Sequence, residues 1–533
     1  MIIALIYLLA TADLELLLLM NSRLTKRSFT DSIAVLLAIS AVVLLYERFN
    51  LLTVLVAILM LYRIVNLARL THRQLQDDYV NHLARRTSLW LIGLQVVALL
   101  LMAAQQHYQI HDRDWLLGLV VFDLLVAGLL AHTIDRQGRV TLPPRVIGAR
   151  AIQDLPSLTV CIPARNETAD LEACLKTLVH STYEKLEILV LDDCSQNTRT
   201  PEIIRQFAHD GVRFIAGSAP PDTWLAKNHA YQQLIGEANG ELILFCGVDA
   251  RFEPDALRLL VETMLDKQKT MLSIMPRNLV PHRLRLEAMM VQPGRYAWEL
   301  ALPRRWLDRP PVLSSCWLIR ASVLQEAGGL AAVHRTVLPE RYFARYAATH
   351  NDGYSFLQSG ETLGVTSAKQ FNAQRETAIR TRYPSLHRRI ELTAMVSLLE
   401  IVILVVPYIS LMYGIVTRLP ILAIVSGGAA LLLSFMYFQV VRITYQQPLT
   451  RGVWLLPFAG LYDIGLLNYS MWMYEFRQVI WKGRNVCIPV MRVIPHLPPL
   501  DAAEQPAYIR SEHYTPHHHG HHKRHHKHRR HHH

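Results

Sequence analysis

The feature that most constrains this chain is where its apolar residues fall. They gather in two blocks towards the ends and leave a more polar middle. Long uncharged runs of this kind suit a bilayer, whose core takes a helix of about 20 mostly apolar residues. The first block holds Met1–Met20, Ile33–Tyr46, Leu51–Ile64, Leu89–Ala104 and Trp115–Ala131; the second holds Leu392–Met412, Ile421–Val440 and Val453–Met473. The pattern predicts two helical membrane blocks with an extramembrane domain between them, and 533 residues leave room for two or three units. Glu47-Arg48 and Asn50 allow a tight hairpin between the second and third runs. The first run carries Asp13 and Glu15 but neither a basic leader nor a small-residue cleavage site, so it reads as an imperfect or interfacial helix and not as a signal peptide. Pro457, Gly460 and Gly465 interrupt the last run, which reads as broken or re-entrant; the parity of crossings stays open, because Arg477, Lys482, Arg484 and Arg492 behind it favour the inner side.

The net charge of +12 does not mark a nucleic-acid binder, since much of it lies in the terminal tail and beside the apolar runs, where Lys and Arg mark the cytoplasmic side and meet anionic lipid. The six cysteines form no CxxC pair and read as buried or free thiols. The expected organisation is membrane helices over 1–135, a basic cytoplasmic linker over 136–155, an α/β domain over 156–390, membrane helices over 391–475, a basic juxtamembrane segment over 476–506, and a His/Lys/Arg-rich tail over 507–533 whose low complexity predicts disorder.

Within the middle segment, Leu158–Ile162, Leu186–Leu191, Val212–Ala216 and Leu242–Phe245 read as strands. Ala169–His180, Pro201–Ala208, Asn228–Glu237 and Pro254–Lys267 read as the helices between them. Such alternation predicts a parallel sheet covered on both faces, with ligands at the carboxyl ends of its strands. Four segments there carry candidate chemistry. The first strand runs into Pro163-Ala164-Arg165-Asn166-Glu167, and the second ends in Asp192-Asp193. Adjacent acids cannot both face the core, so one is free for a ligand or both open a turn. Lys227 stands at a helix entrance, where it can meet a phosphate. Asp249 follows an apolar strand, well placed to hold Mg2+ or Mn2+ through a carboxylate oxygen.

Together these segments resemble family 2 glycosyltransferases of the GT-A fold, especially membrane-bound enzymes such as the hopanoid-associated and carotenoid glycosyltransferases. The resemblance lies in IPARNETADLEACLKTLVHSTYEKLEILVLDDCS, TWLAKNHAYQQL, FCGVDARFEPDAL, PVLSSCWLIRASVLQEAGGL and the post-membrane WKGR at Trp481–Arg484. It covers about 156 to 390 well and the second apolar block loosely. It implies an α/β GT-A (nucleotide-diphospho-sugar transferase) domain inserted between two transmembrane blocks, with its catalytic domain cytoplasmic in the inner or plasma membrane. The implied donor is a nucleotide-diphosphate sugar, UDP-linked by preference, and the implied acceptor a lipid.

Carried over residue by residue, the resemblance has Pro163, Ala164 and Glu167 bordering the nucleotide, Asp193 on the base, Lys227 near the nucleotide-sugar and Asp249 as metal and diphosphate ligand. Glu340 falls at the general-base position, with Pro339 where an acid should precede it. Arg375, Arg380 and Arg382 are candidates to assist the diphosphate or acceptor. Gly247 stands where the first acid of the DxD motif belongs, and Gln374 is followed by Arg375-Glu376-Thr377-Ala378 in place of the Q-x-x-R-W of processive polysaccharide synthases. The first departure keeps open a catalytically inactive nucleotide- or lipid-binding relative. The second argues against long-chain synthesis.

Overall fold

The computed structural model describes residues 10–17, 27–72, 78–138, 150–279, 286–301, 310–350, 353–445, 454–476 and 478–487. The His-rich tail, Arg477, Arg492 and most of the basic linker fall outside these residues.

After a helical stretch over residues 10–17 come four helices: α1 (Arg27–Glu47), α2 (Leu51–His72), α3 (Asp78–His107) and α4 (Asp112–Gly138). The hairpin expected between the second and third runs is present: Asn50 Oδ1 accepts from the Thr53 N–H at 2.9 Å and restarts the helix after Glu47. Glu15 is not interfacial. It is fully buried, pairs with Arg63 at 2.8 Å and accepts from Ser88 at 2.5 Å, while Arg63 also donates to Gln95 at 2.7 Å. A buried charge needs such partners, and its role here is structural.

The α/β segment follows as β1 (Leu158–Ala164), α5 (Ala169–Val179), β2 (Leu186–Asp192), α6 (Arg199–Gln206), β3 (Val212–Ala216), α7 (Ala226–Glu237), β4 (Leu242–Cys246), β5 (Ala250–Phe252), α8 (Ala256–Asp266), β6 (Met271–Met275), β7 (Arg277–Asn278), α9 (Leu286–Ala301), β8 (Cys316–Arg320), α10 (Ala321–Glu326), α11 (Pro339–Thr349), β9 (Tyr354–Gln358), β10 (Val365–Ser367) and α12 (Phe371–Ser385). The main sheet has the order β3-β2-β1-β4-β8-β6-β9. The four strands read from sequence run parallel, but β8 lies antiparallel between β4 and β6, so the sheet is mixed and not wholly parallel. A small sheet, β5-β10-β7, sits beyond the carboxyl end of β4.

Alternate side chains of the strands feed two cores. Val160, Ile162, Val190 and Leu244 pack under α5 and α8. Cys161, Leu189, Phe245 and Trp317 join a second cluster that continues through Tyr296 and Leu300 of α9.

The chain then forms α13 (Ile390–Leu404), α14 (Val406–Val416), α15 (Pro420–Thr444), α16 (Leu456–Glu475) and the short hairpin β11 (Ile480–Trp481) and β12 (Arg484–Asn485). The second core runs on into Met436, Tyr437 and Val440 of α15 and Leu456 and Ala459 of α16, so sheet and apolar helices share one interior. Among the described residues five helices are long and apolar enough to cross a membrane: Phe29–Glu47, Leu51–Arg69, Ala84–His107, Asp112–Arg136 and Pro420–Thr444. The α13–α14 pair, bent by 40°, adds a sixth if it is one span.

The last apolar run is one continuous helix, contrary to the broken segment expected. Pro457 falls in the first turn of α16, where its missing N–H costs nothing. Gly460 serves close packing, because an added Cβ would lie 3.0 Å from that of Leu404.

Candidate active site

The strand order reverses direction at β1, with β2 on one side and β4 on the other, and an open sheet offers a crevice at such a point. A cleft of about 430 Å³ lies there. Pro163, Ala164, Glu167, Asp193, Lys227, Asp249 and Arg380 all line it, which brings together seven of the ten residues singled out from the sequence.

The two adjacent acids have divided their work. Asp192 Oδ1 accepts from the Ser195 N–H at 3.2 Å and shapes the turn. Asp193 is 3% exposed and faces the cleft, and its Oδ2 accepts from Arg484 Nη1 at 2.6 Å. Burial raises the Asp193 pKa, with Arg484 opposing that shift.

Arg484 belongs to the WKGR segment, which folds back over this end of the cleft. Lys482 pairs with Glu167 and donates to the Arg165 carbonyl at 3.1 Å; burial brings its pKa down to about 8. Trp481 lies under the Arg380 guanidinium at 4.5 Å.

Asp249 sits where the chain leaves β4. The β10 strand pairs with β5 alongside it, so that Ser367 donates to Asp249 Oδ2 at 3.1 Å and Lys369 enters the cleft next to that carboxylate. Burial pushes the Asp249 carboxyl up, but the Lys369 charge and the Ser367 hydroxyl outweigh it, and the pKa ends below the ordinary value. Gly247 gives this carboxylate its place: a Cβ there would stand 2.6 Å from Asp249 Oδ1. Among the described residues no three His, Cys, Asp or Glu side chains gather as a metal cluster.

Of the six cations that line the cleft, Lys482 pairs with Glu167 and Arg165 donates to backbone carbonyls, while four, Lys227, Arg295, Lys369 and Arg380, act on one another near Asp249. Burial lowers the pKa of Lys227, of Arg380 and of Lys369, the last to about 8, and the mutual repulsion of these cations adds to the effect. Asp249, Glu340 and Glu376 offset part of this charge, yet so many cations held in one half-buried place are costly unless a polyanion comes to them.

Glu340 is not on the cleft wall. It is 1% exposed in the first turn of α11, behind the wall, close enough for its charge to act on Lys227, Tyr231 and Arg380. One of its oxygens has no hydrogen-bond partner. Arg375 is exposed and outside the cleft lining, and Arg382 turns the other way to pair with Asp463 of α16. Sequence reading passed over Arg295, Lys369, Asp170 and Glu376, all on the cleft wall. Lys369 and Arg295 come from elements far along the chain, with no local pattern to mark them; the adjacency of Glu376 to Arg375 was visible but its face was not.

Residues 159–328, most of this α/β segment, match the model of glycosyl transferase family 2. The chain is 26% identical over 193 residues to the probable glycosyltransferase YdaM of Bacillus subtilis, covering 33% of this chain and 44% of that protein. It is 29% identical over 126 residues to the 4,4'-diaponeurosporenoate glycosyltransferase of Staphylococcus haemolyticus, covering 23% of this chain and 33% of that one. The matches thus span less than half the length of these relatives. Among solved structures, the mannosyltransferase PcManGT of Pyrobaculum calidifontis, in complex with GDP-Man and Mn2+, is similar at 19% identity and a TM-score of 0.40, over 65% of this chain and 98% of that one.

Proposed function

We propose that this chain is a membrane-embedded, inverting glycosyltransferase that moves one sugar from a nucleotide-diphosphate sugar to the hydroxyl of a lipid. The observation that carries the reading is the convergence of Lys227, Arg295, Lys369 and Arg380 on a cleft at the switch point of a family 2 domain. A donor diphosphate is the polyanion such a cluster fits. Its nucleoside would lie towards Pro163, Ala164, Glu167 and Asp193, beneath the WKGR segment, with a UDP-sugar favoured.

Mg2+ or Mn2+ fits Asp249 only as a shared ligand: one ionised carboxylate, with donor phosphates and water completing the shell, is an ordinary way to hold Mg2+. Such an ion would add positive charge beside the departing diphosphate. The protein's own part is to hold that diphosphate with four cations as the bond from the anomeric carbon to its oxygen breaks and the electron pair leaves with it. Glu340 takes the proton of the acceptor hydroxyl as that oxygen attacks from the opposite face, which requires the wall in front of Glu340 to open when substrates bind. The five apolar helices would embed the chain in the inner or plasma membrane, with the domain between the two helical blocks on the cytoplasmic side.

The experiment is transfer by purified full-length protein, with Mn2+ or Mg2+, from a panel of radiolabelled nucleotide sugars into the organic-extractable fraction of membrane lipid. Label in that fraction supports the reading. Tight nucleotide binding with neither transfer nor hydrolysis would support a catalytically inactive relative, a reading favoured by Gly247 and Pro339 where the family carries acids. A polymeric product would instead indicate a polysaccharide synthase.

A further inference from the structure

A second cavity, of about 180 Å³, is walled in part by α9, which also lends Arg295 to the donor cleft. Its walls are almost wholly apolar, drawn from Leu130, Ala297, Leu404, Tyr437 and Gly460 on five helices, two of which, α4 and α15, are long and apolar enough to cross a membrane. A cavity of about 150 Å³ lined by apolar side chains stays dry and takes up hydrocarbon. One edge differs. There Glu400 and Asp463 face the cavity together, beside Trp298 and Arg382.

The donors at that edge are unequally shared. Asp463 pairs with Arg382 and accepts the single indole N–H of Trp298 at 2.9 Å. Glu400 is 3% exposed, 3.8 Å from Arg382 and close enough to the Trp298 indole N–H to feel it, yet neither of its oxygens accepts a hydrogen bond of ordinary geometry. A buried acceptor left this way is satisfied when a ligand brings a donor. An anionic head group would instead set a further negative charge beside two carboxylates.

We infer that this cavity seats the hydrocarbon body of a neutral lipid alcohol, whose hydroxyl donates to Glu400. The site deepens the proposed function and rests on it for its purpose: it is a holding site for the acceptor lipid, whose hydroxyl must leave Glu400 to reach Glu340 and the donor cleft. Helix α9 lines both chambers, with Arg295 in the donor cleft and Trp298 on the cavity; on α12, Arg380 lines the cleft and Arg382 turns to the acids at the cavity edge. A lipid phosphate is excluded on charge.

The test uses full-length protein in nanodiscs with two photoactivatable probes, a long-chain alcohol carrying a diazirine and the matching long-chain phosphate, with the labelled peptides mapped by mass spectrometry. The alcohol should label the stretches of α9, α13 and α16 that line the cavity. Glu400→Leu should cut that labelling about tenfold, as expected for loss of a hydrogen bond to a buried acceptor. Ala297→Trp, which fills the cavity, should do the same. Gly294→Leu provides a second filling variant, since the nearest atom to a Cβ there, Asp463 Oδ1, is 4.0 Å away. UDP binding measured on each variant reports that the fold is intact. Equal labelling by the phosphate probe, or alcohol labelling unchanged in the filled variants, would overturn the inference. Failure of the wild-type protein to bind UDP would sink the transferase reading and leave the labelling result to stand or fall separately.

Discussion

Lys369 is where the electrostatics of the cleft can be read most cleanly. Its pKa of about 8 comes mainly from burial, partly offset by Asp249 and aggravated by Arg295, Arg380 and Lys227. Replacing it with Met removes one of the four mutually repelling cations near Asp249. A unit charge about 5 Å from a phosphate oxygen, at an effective dielectric constant near 20, is worth roughly 3 kcal/mol. Relief of repulsion among the three remaining cations returns part of that, so UDP should bind about tenfold more weakly, a net loss of roughly 1–2 kcal/mol.

The pH dependence has a definite sign. Below about pH 8 Lys369 is charged and attracts the diphosphate; above it the charge is lost, so wild-type affinity should fall by about tenfold in all as pH rises through 8 and beyond. Fold stability moves the other way. A lysine whose folded pKa is depressed binds fewer protons folded than unfolded, so its cost to the fold shrinks as pH rises from 8 towards its ordinary value. Isothermal titration of UDP between pH 7 and 9.5, on wild type and Lys369→Met, is the assay. Lys482 also titrates near pH 8, and Lys482→Met separates its share. A wild-type affinity flat across that range, or an undiminished slope in both variants, would refute the reasoning.

Three further outcomes are expected. Asp249→Asn should abolish the metal-dependent part of nucleotide binding and all transfer, read by titration with and without Mn2+. Glu340→Gln should lose transfer while leaving UDP affinity near normal, because the residue sits behind the cleft wall; retained turnover would place the base elsewhere, with Glu376 on the wall the next candidate. Arg484→Met leaves the buried Asp193 carboxylate without its 2.6 Å partner and should cost on the order of 2 kcal/mol, seen as a lower unfolding midpoint in denaturant.

The four parallel strands were legible because each is a short apolar run ending in polar residues, and their boundaries fall within one or two residues of those read. The antiparallel β8 was not, since residues 313–320 carry no signal for direction; that is decided by pairing with β4 and β6. The α16 helix was misjudged because Pro and Gly were read as breakers without knowing their positions: Pro457 lies in the first turn, and Gly460 lets Leu404 come close. Local motifs reached Asp193, Lys227 and Asp249, whose strand or helix ends place them on the cleft directly. They did not reach Lys369 or Arg295, which arrive through β10 and α9. WKGR was noticed only by resemblance; the ion pairs of Lys482 with Glu167 and Arg484 with Asp193 are tertiary facts.

The central claim is that the cationic cleft holds a donor diphosphate. A structure of the full chain with UDP and Mn2+ tests it most directly. The account predicts the diphosphate among Lys227, Arg295, Lys369 and Arg380, with Asp249 holding the ion and the uracil towards Asp193. A nucleotide bound away from these side chains, or a cleft still empty at saturating UDP, would contradict it.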